Sequence, residues 1–152
     1  MSGDPLSGYT LPGAQLKITA EAVVSLLNGV FPQTASMYTL LDLRPGGATT
    51  LFHVTDDHLR PGGTVSGPTL FTVADLTFYI ATLGLIGPEP QTVTTQTSIN
   101  FMRRPSPGPI RGEARVLKLG RSLSVGDVEL YSHDTDTLVA HATLTYAIPP
   151  RR

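Results

Sequence analysis

The chain of 152 residues contains no cysteine and no tryptophan, and few of its side chains are charged. Without cysteine there is no disulfide framework, no thiol nucleophile and no thiolate zinc site. Charged residues make up 15% of the chain, against about a quarter in an average domain. That leaves less strongly solvated surface and favours self-association. The net charge of −1 and the pI near 6.4 speak against a general nucleic-acid binder. The opening M-S-G-D-P-L-S-G-Y-T lacks the basic start and apolar run of a signal peptide, so a cytoplasmic protein is expected. There is no phosphate loop of the P-loop or dinucleotide type, and no G-x-S-x-G nucleophile elbow. Internal repeats, heptads and low-complexity tracts are also missing.

What the chain does have is one long apolar run. Residues 67–83 read G-P-T-L-F-T-V-A-D-L-T-F-Y-I-A-T-L, followed by Gly84. Proline near the start and glycine past the end are helix punctuation. On that reading Gly67 is the N-cap, Pro68 the first helical residue and Gly84 the residue beyond the end. The apolar residues go nearly all the way round, which predicts a helix buried on all sides. It is too short and too rich in threonine to be read as a membrane span. Its one charge is Asp75. A carboxylate there is costly unless it is paired, hydrogen-bonded or facing a cleft. Two readings stay open: a buried acid satisfied by backbone or threonine hydroxyls, or a functional acid.

The rest of the chain is arranged around that helix. Residues 1–13 are a Gly/Ser/Pro-rich leader, expected to be mobile or draped over a partner. Residues 14–152 are expected to form one domain, long enough to bury a core. Residues 19–28 predict a short amphipathic helix capped by Thr19, ended by Gly29 and stopped by Pro32. Strands are predicted at 37–43 and 49–54 around the turn R-P-G-G. A polar stretch, 55–66, leads into the long helix. Four more strands follow, at 92–102, 110–119, 122–132 and 138–148. One long helix against consecutive strands is an α+β layer, and a helix buried all round needs a curved antiparallel sheet to wrap it.

The approach R-P-G-G-T-V-S-G-P at residues 60–68, followed by a long apolar helix carrying Asp75, resembles the hotdog fold. The likeness is to the phenylacetate-pathway (PaaI-like) branch of the acyl-CoA thioesterases, and runs from about residue 35 to 148. T-V-T-T-Q-T-S-I-N-F-M-R-R-P resembles that family's strand after the helix, and V-L-K-L-G-R-S its next strand turn. The family loop reads Asn-x-x-Gly-x-x-His-Gly-Gly, with an acid eight residues past the first glycine of the final pair. Gly63, Gly67 and Asp75 match; Arg60, Ser66 and Pro68 stand where the family has Asn, His and the second Gly. The family's strand Ser or Thr falls at Thr94, with Thr95 beside it.

The resemblance implies hydrolysis of acyl-CoA or aryl-CoA thioesters with no cofactor beyond the CoA of the substrate. It also implies a homodimer that pairs further into a homotetramer. A backbone N–H at Gly67, with the helix dipole behind it, would stabilise the developing oxyanion. Asp75 would activate water or attack directly, and Thr94 would position the water. Arg103, Arg104 and Arg121 are candidate holders of the CoA phosphates. Arg60, Gly63, Ser66 and Thr95 complete the candidate binding residues; Arg60 cannot accept a hydrogen bond as Asn would. For Thr94 and Thr95 a plain β-propensity role is the competing reading. Asp56, Asp57 and His58 raise a metal reading, but no further ligand stands at the right spacing. Two alternatives remain: a non-catalytic acyl- or CoA-binding hotdog protein, and a hydroxyacyl dehydratase on the same fold, for which His58 lies too far ahead of Asp75.

Overall fold

Residues 8–150 are described by the computed structural model. Among the described residues two α-helices and six strands follow one another as α1 (Ala20–Val30), β1 (Tyr38–Arg44), β2 (Gly47–Phe52), α2 (Gly67–Ile86), β3 (Val93–Phe101), β4 (Ile110–Leu119), β5 (Leu123–Ser132) and β6 (Thr137–Ala147), with two short 3-10 turns at Pro32–Thr34 and Asp56–His58. The strands form one antiparallel sheet in the order β1-β2-β4-β5-β6-β3. Helix α2 lies across one face of it. This is the curved α+β sheet around a central helix that the resemblance implied.

The close approach of helix and sheet depends on glycine. A Cβ on Gly112 of β4 would stand 2.5 Å from Thr77 Oγ1, and one on Gly126 of β5 would stand 2.6 Å from the Phe78 ring. The threonines that make α2 unlike a membrane helix are satisfied inside this contact. Thr77 bonds Val73 O (2.6 Å) and Thr50 Oγ1 (2.7 Å), and Thr82 bonds Ser124 Oγ (3.0 Å). Among the described residues α2 alone is long and apolar enough to cross a membrane, but 83% of its apolar window is buried in the fold.

Several boundaries differ from the sequence reading, each for a local reason. Ser66, not Gly67, is the N-cap of α2: its hydroxyl accepts from Thr69 N–H (3.3 Å), leaving Gly67 and Pro68 as the first two helical residues. Gly84 does not end α2. It sits inside, because a Cβ there would meet Leu43 Cδ1 at 3.0 Å and Leu16 Cδ2 at 3.1 Å. The helix ends at Gly87, whose φ of +88° and N–H to Leu83 O close the last turn. In α1, Thr19 is the cap as expected, but the helix runs through Gly29 until Pro32 stops it. The β1–β2 turn needs only Pro45 and Gly46 (φ +91°), so Arg44 and Gly47 already pair.

Nor is α2 buried on all sides. Every residue from Leu76 to Ile86 is buried, whereas Gly67, Pro68, Phe71, Thr72 and Asp75 are not. Spaced by three and four, these five form one open stripe along the first half of the helix. Part of the leader is tied down rather than loose. Leu11 N–H donates to Pro45 O, Arg44 Nε–H to Tyr9 O, and the Tyr9 phenol to Val116 O. The remainder of the leader, 1–7, falls outside the described residues.

Candidate active site

The open stripe begins at a helix N-terminus, where backbone N–H groups have no partner inside the helix. Pro68 has no N–H, Thr69 N–H goes to Ser66 Oγ, and Leu70 N–H goes to Ser66 O. Gly67 N–H alone has no partner among the described residues. It borders a cavity of about 390 Å³ whose lining includes Arg60, Leu70, Phe101, Arg103 and Arg104. The cavity has three guanidinium groups and no acid in its lining. Together with the positive end of the helix dipole, they make it a place for an anion. A Cβ on Gly67 would touch the Phe101 ring at 3.4 Å, so any larger side chain would crowd this mouth.

The stripe ends at Asp75, half-buried. Its Oδ1 accepts from Thr94 Oγ1 at 2.6 Å. The Tyr146 phenol donates within reach of both the same Oδ1 (2.6 Å) and the Asp75 backbone oxygen (2.9 Å). Burial, and then the neighbouring Asp75 carboxylate, push the Tyr146 phenol well above its ordinary range, so it stays protonated and donates. Two cavities open on the carboxylate. One, of about 360 Å³, runs between Tyr79, Pro90, Thr92 and Thr94. The other, of about 240 Å³, is more apolar, with Thr34, Met37, Phe71 and Leu76 in its wall. Phe31 borders both.

A free amide and a half-buried carboxylate thus stand at the two ends of one open helix stripe. The sequence profile of the thioesterase superfamily matches residues 62–146, more than half of the chain and the stretch that holds the whole stripe. The chain belongs to the thioesterase superfamily. Among solved structures, this thioesterase-superfamily chain is similar to a protein of Silicibacter sp. provisionally described as a thioesterase. The two are 42% identical with a TM-score of 0.84, over 92% of this chain and 98% of that one. It is also similar to an Asn-to-Asp variant of the phenylacetic acid degradation protein PaaI from Thermus thermophilus. There the identity is 28% and the TM-score 0.68, over 78% of this chain and 99% of that one. A Streptococcus mutans protein bound to acetyl CoA is 25% identical, with a TM-score of 0.66 over 76% and 90% of the two chains. No curated protein sequence matches it.

The expected site residues of this superfamily member divide into three groups. Asp75 and Thr94 meet directly, although Thr94 bonds the carboxylate itself. Gly67, Arg60, Arg103 and Arg104 share the arginine-lined cavity, where Arg103 also donates to Leu138 O (3.1 Å). The others lie elsewhere. Ser66 spends its hydroxyl on the helix cap, bonding both Thr69 N–H and Thr69 Oγ1. Gly63 serves the turn: its φ is +80° and its N–H closes onto Arg60 O. Thr95 is exposed and bonds Thr145 O, away from Asp75. Arg121 sits in the β4–β5 turn, at the end of the sheet where Leu123 pairs with Ala147 and Ala147 with Val93. Arg103 and Arg104 are at the opposite end.

The Thr94–Thr95 outcome comes from a β-bulge. Gln96 stands opposite Thr145, and a regular ladder would set Thr95 opposite Tyr146; the extra residue sets Thr94 there instead. His58 serves its own turn. Its Nδ1 accepts from Thr55 N–H, and its ring meets Phe52 edge-on. No group of three or more metal-ligating side chains occurs among the described residues. Sequence reasoning missed Tyr146, whose partner is 71 positions away. It missed Ser66 as cap as well, though a serine before G-P-T is a recognisable signal.

Proposed function

We propose that this protein hydrolyses acyl-CoA or aryl-CoA thioesters to the free acid and CoA, in the PaaI-like manner, as a cytoplasmic homodimer or homotetramer. The observation that carries this reading is the open stripe of α2, with a free amide beside three arginines at one end and a carboxylate at the other. The general activity of the superfamily is thioester hydrolysis, and a neighbour of this fold binds acetyl CoA. In the proposed reaction Asp75 takes a proton from water as the water oxygen bonds the thioester carbon. Gly67 N–H holds the developing oxyanion. The C–S bond then breaks, the acid is released, and the sulfur leaves with the returned proton as CoA–SH. Arg60, Arg103 and Arg104 hold the CoA phosphates. No cofactor is required.

The two ends of the stripe belong to different subunits in this reading. Gly67 and Asp75 are eight residues apart, about 12 Å along a helix axis. One carbonyl needs its oxyanion donor and its water both within about 3 Å. Strand β3 is an edge of the sheet, and the exposed apolar Val93 and Phe101 mark its two ends. Pairing two β3 edges antiparallel about Thr97 would set Phe101 of one copy beside Val93 of the other. The arginine cavity of one subunit would then face the Asp75 cavities of its partner, and Arg121 would come toward the same junction. The open stripes of the two α2 helices would cover each other.

The test is complementation. Asp75→Asn and Gly67→Val subunits, each inactive alone, are mixed through mild unfolding and refolding, and CoA release is measured. A mixed dimer has one site with both lesions and one with neither. With random pairing, activity returns to roughly a quarter of wild type. A mixture as dead as its parents, beside a wild-type control that recovers, refutes the shared site. A non-catalytic binding role is the second reading, favoured by Arg60 and by Ser66 spending its hydroxyl on the cap. Steady-state CoA release across a panel of acyl- and aryl-CoA esters separates the two.

A further inference from the structure

A carboxylate has two oxygens, and those of Asp75 are not alike. Oδ1 accepts both the Thr94 hydroxyl and the Tyr146 phenol, each at 2.6 Å, which uses its two lone-pair directions. Oδ2 takes no hydrogen bond among the described residues and is not sealed from solvent. Tyr146 is itself firmly held. It is almost fully buried in β6, stacked on Tyr79 (ring centroids 5.8 Å, interplanar 20°) and tilted against Phe78 (5.6 Å). Tyr79 is in turn tied by its phenol to Pro90 O (2.8 Å). Because the Tyr146 phenol also reaches the Asp75 backbone oxygen, one group fixes the main chain and the side chain of the same residue.

We propose that Oδ2 is the working oxygen of Asp75, and that Tyr146 is the positioning residue that presents it, with Thr94 as the second holder. This rests on the thioesterase reading above, in which Asp75 is the catalytic carboxylate, and it changes the part of Thr94. The Thr94 hydroxyl spends its one proton on Oδ1, so it orients the acid and not the water. A carboxylate held by one oxygen cannot swing, and water entering the cavity meets a single acceptor in a single direction. Such positioning acts on the chemical step more than on ground-state binding, because both hydroxyls spend their protons on Asp75.

The experiment measures steady-state CoA release by wild type, Tyr146→Phe, Thr94→Val and Thr94→Ser, with melting temperatures alongside. Tyr146→Phe keeps the ring stack and removes only the donor. It should lower kcat roughly 10- to 100-fold, as a misplaced catalytic group does, with KM nearly unchanged. Thr94→Val should lower kcat by a smaller factor, and Thr94→Ser should restore it. In an Asp75→Asn background Tyr146→Phe should cost almost nothing further, since the two act as one unit. Wild-type kcat in Tyr146→Phe, or an equal extra loss in the Asp75→Asn background, overturns the proposal. If Tyr146→Phe does not fold, the Thr94 pair decides, and equal rates for the Val and Ser variants overturn it. A wild-type protein that releases no CoA from any ester brings down the thioesterase reading, and the proposal with it. That outcome is distinct from an active enzyme indifferent to Tyr146.

Discussion

The two halves of α2 are made of similar residues and do different work. From Leu76 to Ile86 the helix is wholly enclosed, glycine and threonine included, and its side chains serve chiefly packing. From Gly67 to Asp75 it buries one side and leaves the other open. Hydrophobicity does not tell the halves apart: Phe71 is as apolar as Phe78, yet one is exposed and the other is not. The difference lies in what the sheet covers. The strands, helix α1 and the segment before it together enclose the second half, and leave the stripe between the N-terminus and Asp75 to be covered by something else. An element can thus be half core and half site, with no break in its composition to mark the boundary.

That division predicts that the halves fail differently when altered. The largest effect belongs to Phe78→Ala, which removes a ring with no exposure from the enclosed half. It should cost about 3–5 kcal/mol of stability. Calorimetry should show the melting temperature falling by roughly 6–20 °C. A mutant of unchanged melting temperature would mean that the enclosed half is not core. Next comes Asp75→Asn in the open half, which keeps the shape and removes the base. Here kcat should fall at least ~10²-fold with little change in melting temperature; near-normal turnover would end the assignment of Asp75. The smallest effect is expected beyond the helix tip. Charge reversal of Arg103 and Arg104 to Glu should raise KM for full-length CoA esters about 10-fold, with kcat nearly constant, because those contacts hold ground state and transition state alike. Added salt should weaken binding in the wild type more than in the variant. A KM indifferent to the reversal would remove the arginine cavity from the site.

How much of this was legible in the sequence depends on the range of each interaction. The fold class, the central helix and its one charged position were legible, because apolar periodicity and a lone charge are local properties. The open stripe was not, since it depends on where the sheet stops. Gly84 read as a helix end because glycine usually is one; that Leu16 and Leu43 fill the space beside it is a tertiary fact. Tyr146 looked like any residue of an alternating strand. Its role exists only because β6 lies between β5 and β3, opposite Asp75. Within one chain the pairing of β3, β5 and β6 sets Arg121 at the other end of the sheet from Arg103 and Arg104, so only pairing of two copies could bring them together, which no local signal shows.

The bulge in β3 bears on how the chain can change length. Thr94 stands opposite Tyr146 with Thr95 as the surplus residue, and Gln96 resumes the ladder opposite Thr145. A chain lacking Thr95 would pair the same two neighbours without the kink, and the same hydroxyl would still meet the same carboxylate. A one-residue deletion at this point is therefore neutral for the site, whereas one a few positions later would exchange the two faces of the strand between the bulge and the gap. Counting by strict alternation back from Phe101 selects Thr95, the wrong threonine. Relatives that differ in length here can share one chemistry while their residue numbers disagree by one.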